Sequence, residues 1–74
     1  MKLPRLSGNQ VIKALAKADF HEIRRHGSRV ILEKKAPEGV KHLMVHDFKE
    51  LDPKALMEVI HQAGLNREQF LELL

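Results

Sequence analysis

The chain has 74 residues, no cysteine, and 43% apolar residues. That length suits one domain, spanning 1–74, which buries only about 60% of the surface its unfolded chain exposes, and the lack of cysteine excludes disulfide staples and thiolate zinc sites. Thirteen Lys and Arg against ten Asp and Glu leave a net charge of +3, divided as +6 over residues 1–37 and −3 over residues 38–74, so one half is suited to face phosphate.

The opening Met1-Lys2-Leu3-Pro4-Arg5-Leu6 lacks the continuous apolar stretch of a signal peptide or membrane span, and the expected setting is soluble and cytoplasmic. Ser7 is followed three residues later by Gln10, then by Val11, Ile12, Leu15 and Ala18. This capping box running into an apolar stripe of helical period predicts a helix over 8–18. Asp19 stands where a left-handed exit is wanted, a conformation that Asp tolerates better than most residues.

From residue 20 the pattern shortens. Gly27-Ser28 between two extended runs reads as a hairpin connection, giving strands over 20–25 and 29–34. Pro37 and Gly39 mark a second turn, after which a third strand covers 40–45. If Lys34 faces Gly39, paired positions sum to 73. Val30, Leu32, Leu43 and Val45 then point at the helices, Arg29, Ile31, His42, Met44 and His46 share the other face, and His46 falls opposite Gly27, diagonal to Arg29. Asp52-Pro53 opens the next helix, which carries Leu56, Val59, Ile60 and Ala63 and stops at Gly64. Asn66 with Gln69 caps a short final helix around Phe70. The expected class is therefore α+β: helix, three-stranded antiparallel sheet, helix and short C-terminal helix, the arrangement of double-stranded-RNA-binding-like folds.

The basic cluster Arg24, Arg25, Arg29, Lys34 and Lys35 has the character needed to track a phosphate backbone. With no Trp or Tyr, base stacking contributes little, and binding is expected to be salt-sensitive. Among the five histidines, His42 and His46 stand roughly 13 Å apart along one strand and cannot share an ion. His21 and His61 have no partner at ligand spacing, so no metal site is expected.

Ser7-Gly8-Asn9-Gln10-Val11-Ile12-Lys13-Ala14-Leu15, Ala18-Asp19-Phe20, Gly27-Ser28, Val45-His46, Lys49-Glu50-Leu51 and the run from Gln62 to Leu74, in this order and spacing, resemble the HicA family. The resemblance implies a toxin that cleaves mRNA without a metal or other cofactor and is neutralised by a HicB-type antitoxin protein. It also implies that a catalytic His follows the Gly-Ser pair, and the Gly27-Ser28 turn and the basic cluster are expected to contact RNA beside that position. Here Arg29 occupies that position.

The substitution has a definite chemical consequence, whether it is natural or introduced. Imidazole titrates near neutrality and can give or take a proton; guanidinium stays protonated and can only bind phosphate or stabilise developing negative charge. His26 and His46 are the two histidines placed to assist at such a site, and Ile31 and Met44 are apolar positions beside it that an antitoxin could cover. The expectation is a chain that binds RNA and cleaves it poorly. The alternatives are a non-catalytic RNA-binding module on the same face and a protein-interaction domain whose basic residues are incidental.

Overall fold

The computed structural model describes residues 3–74; Met1 and Lys2, the start of the opening segment read above, lie outside the described residues. In chain order the elements are α1 (Gly8–Ala16), β1 (His21–His26), β2 (Arg29–Ala36), β3 (Gly39–His46), α2 (Pro53–Gln62) and α3 (Arg67–Leu71). The three strands form one antiparallel sheet in the order β1-β2-β3. The fold is thus α+β, with the elements in the predicted order. Among the described residues no helix is long and apolar enough to cross a membrane.

Local chemistry sets the helix ends. The Ser7 hydroxyl accepts from the Gln10 amide at 3.1 Å while the Gln10 side chain accepts from the Ser7 amide at 2.9 Å, the reciprocal arrangement of a capping box. The far end of α1 comes two residues earlier than predicted. The Phe20 amide reaches back to the Leu15 carbonyl and the Asp19 amide to that of Ala16, with Asp19 at φ 70°. These bonds close the last turn and bring Phe20 against the helix it follows. Gly64, at φ 76°, ends α2 through the same pair of bonds, from Leu65 to Ile60 and from Gly64 to His61.

The start of α2 rests on Asp52, whose Oδ1 accepts from the Lys54 and Ala55 amides at 2.7 and 3.3 Å. Asp52→Ala removes both acceptors and is expected to cost about 1 kcal/mol, read as a lowered urea midpoint at unchanged slope. An unchanged midpoint would mean that water satisfies those amides equally well.

The sheet register corrects the sequence reading. Ala36 pairs with Gly39 across the two-residue connection Pro37-Glu38, so paired positions on β2 and β3 sum to 75 and not 73. A shift of two residues moves every pair and leaves every face unchanged, because side chains alternate with period two. Val30, Leu32, Leu43 and Val45 are accordingly buried. His46 lies directly opposite Arg29, not diagonal to it.

β1 carries a bulge at Ile23, between the pairs Glu22↔Leu32 and Arg24↔Ile31. The extra residue reverses the facing of everything before it. Glu22 and Arg25 come to share the helix-side face, His21 joins the open face, and Ile23 is left 52% exposed. All six residues of β1 are exposed, so the helices cover β2 and β3 only. The core draws Val11, Ala14 and Leu15 from α1, the four inward sheet residues, Leu56, Val59 and Ile60 from α2, and Phe70 from α3, with Leu6, Phe20, Leu51 and Ala63 closing its rim.

Candidate functional site

Directly paired residues of antiparallel strands project to the same face, so the open side of the sheet can be read as rows. The first row is His26, Arg29 and His46; the second is Arg24, Ile31 and Met44; the third is His21, Glu33 and His42. With neighbouring strands about 4.8 Å apart, the backbones of His26 and His46 stand roughly 10 Å apart with Arg29 between them. Arg29 and His26 are exposed and His46 is half-buried. The three residues singled out for the site therefore sit side by side, at the end of the sheet where the Gly27-Ser28 turn lies.

That end is tied down by bonds from three directions. The Asp47 amide donates to the Ser28 carbonyl at 2.7 Å, the Gly8 amide to the Phe48 carbonyl at 2.8 Å and the Leu51 amide to the Leu6 carbonyl at 2.8 Å. Arg25 adds a side-chain clamp, with Nη1 on Asp47 Oδ2 at 2.7 Å and Nε and Nη2 on the two oxygens of Glu22 at 3.3 and 3.2 Å. The hydrogen bonds it donates, to Glu22 first and Asp47 second, hold the Arg25 guanidinium above its usual pKa. The β1-β2 turn, the segment after β3 and the start of α1 are thereby linked around Arg29 and His46.

The basic cluster divides between the two faces. Alternation puts Arg24, Arg29 and Lys35 on the open side, with Glu33 as the carboxylate among them on β2. Arg25 lies on the helix side, engaged by Glu22 and Asp47. Lys34 lies there too, its ammonium 5.6 Å from the centre of the Phe20 ring, within range of cation–π attraction. Gly27 supplies φ 63° at the first position of the tight turn, a conformation open to Gly without steric cost.

His42 Nε2 contacts Glu33 Oε2 at 3.1 Å, which accounts for that histidine as a cross-strand partner. Among the described residues no three His, Cys, Asp or Glu side chains form a group able to hold a metal ion. Ile31 is half-buried, and Met44, 37% exposed, lines a groove that Leu51, Ala55, Glu58, Val59 and Gln62 close from the α2 side.

Three residues of this region escaped the sequence reading. Phe48 stacks on His46, with ring centres 4.9 Å apart and planes 7° from parallel; Asp47 joins Ser28 and Arg25; and Gly8 packs against the backbone of His46 and Asp47. Only Gly8 carried a signal, as a glycine inside a helix where Ala would be the better helix former.

No curated protein and no solved structure matches the chain. The family model described as HicA toxin of bacterial toxin-antitoxin matches residues 8–65, a span that opens at the first residue of α1 and includes the whole sheet and α2. The chain belongs to the HicA toxin family of bacterial toxin–antitoxin systems.

Proposed function

We propose that this chain is a HicA-type toxin directed at mRNA in the cytoplasm, one that grips the RNA backbone with the open sheet face and cleaves it weakly. The observation that carries this reading is the cross-strand row in which Arg29 stands between His26 and His46. Metal-free cleavage joins the 2′-oxygen to phosphorus and breaks the bond from phosphorus to the 5′-oxygen. A base must take the 2′-hydroxyl proton and an acid must supply one to the leaving oxygen. Arg29 suits the third requirement, a fixed cation on the phosphate oxygens, and fills the position where the family resemblance calls for the proton carrier. Neither a metal nor an organic cofactor enters this chemistry. A HicB-type antitoxin neutralises such a site by covering the open face, burying Ile31 and Met44 together with Arg29.

Arg24, Arg29 and Lys35 share the open face, and three phosphate contacts to a single strand give a salt slope of about −2. Affinity for a single-stranded RNA oligomer is thus expected to fall roughly 20-fold between about 50 and 200 mM salt. Arg29→Ala should weaken binding across sequences and reduce the slope by about 0.7. An affinity that barely responds to salt would remove the electrostatic grip from this account.

A further inference from the structure

His46 is set apart from its exposed row-mate His26 by a buried ring nitrogen. Its Nδ1 is buried and has no hydrogen-bond partner among the described residues, while the ring lies flat against Phe48. The ring as a whole is half-buried, and Nε2 is not among the buried unpartnered atoms, so Nε2 is the nitrogen open to solvent. Neutral imidazole carries one proton, on one nitrogen or the other. Nδ1 is unpartnered in either tautomer, but a buried N–H left without an acceptor is rarer in folded proteins than an under-satisfied acceptor, and a proton on Nε2 can be given to water or to a ligand. Burial therefore selects the tautomer with a bare Nδ1 inside and an N–H donor outside.

The groups around that donor limit what it can serve. Arg29, directly opposite on β2, is a cation and cannot accept a hydrogen bond. On the α2 side Glu58 and Gln62 line the groove beside the ring, yet neither is hydrogen-bonded to it. Asp47, next in the chain, is engaged by Arg25. A donor on the residue paired across the strands with an exposed arginine matches a phosphate oxygen, which can accept from both.

We propose that His46 is a fixed hydrogen-bond donor, presenting Nε2–H to the RNA phosphate that Arg29 binds, and that it transfers no proton itself. This rests on the RNA-directed reading of the open face. It assigns His46 to binding the reacting phosphate and excludes it as the base, since a basic Nε2 would require the proton to sit on the buried Nδ1.

Two measurements on the full chain test the assignment. In the 15N-labelled protein, well above the ordinary titration range of imidazole, long-range proton–nitrogen spectra should show His46 protonated on Nε2 and bare on Nδ1. Binding is then read with a 2′-O-methylated single-stranded RNA oligomer at low salt, which blocks cleavage. His46→Gln, whose amide can place a donor near Nε2, should bind within roughly threefold of the original; His46→Phe, which keeps an aromatic ring against Phe48 and loses the donor, should bind roughly tenfold more weakly. A proton on Nδ1, or equal affinities for the two variants, overturns the proposal while leaving the RNA grip intact. If the unaltered chain does not bind the oligomer at all, the RNA-directed reading fails, and this assignment fails with it.

Discussion

Arg29→His is expected to cleave RNA at least about 100-fold faster than the unaltered chain, the low end of what a positioned acid or base contributes. The substituted ring would stand between His26 and His46 on the open face, where a phosphate held by the row lies within reach. It can exchange protons at neutral pH, which guanidinium cannot. The exposed, paired position of residue 29 needs no repacking to accept the smaller ring. The comparison is made in one gel with the original chain, the Arg29→His variant and an Arg29→Gln preparation that controls for contaminating nuclease. Rapid cleavage by the original chain and not by Arg29→Gln would show that Arg29 supports the chemistry, against the reading given above. RNA retention by all three with cleavage by none would identify a binding module, and no RNA affinity even at low salt would identify a protein-interaction domain.

What the sequence disclosed about this site depended on range. Caps and exits are local, and Ser7, Asp19, Asp52, Gly64 and Asn66 act where their side-chain chemistry and spacing placed them. The sheet faces were legible for a related reason: the apolar alternation of Val30, Leu32, Leu43 and Val45 fixes which side is buried. Alternation is blind to a shift of two residues, however, so the pairing of Arg29 with His46 depended on the length of the Pro37-Glu38 connection. The bulge at Ile23 left no trace in composition, and it decides that Glu22 can reach Arg25 and that His21 shares a row with Glu33. The Gly8 contact is a tertiary event between segments some 40 positions apart in the chain, and the stack of Phe48 on His46 forms just beyond the end of β3; neither leaves a periodic signal in a single sequence.

Gly8→Ala should destabilise the fold by about 2–3 kcal/mol, although helix propensity alone argues the other way. Ala is favoured over Gly by up to about 1 kcal/mol inside a helix, and Gly8 is the first residue of α1. A Cβ there would overlap the His46 carbonyl oxygen and stand 2.6 Å from Asp47 Cα and 2.9 Å from the His46 carbonyl carbon. These are backbone atoms, which cannot swing aside as the end of a side chain can, and overpacking of this kind costs about 1–3 kcal/mol or somewhat more. Relief by sliding the strand end away stretches the 2.8 Å bond from the Gly8 amide to the Phe48 carbonyl. The clash therefore outweighs the propensity gain, and its relief displaces His46 and Phe48, so RNA affinity should fall in the fraction that remains folded. Urea unfolding of Gly8→Ala beside Asn9→Ala, an exposed position one residue further along α1, separates the effects. The Asn9 variant should stay within about 0.5 kcal/mol of the original, and a Gly8 variant equally stable would mean that α1 does not approach β3 this closely.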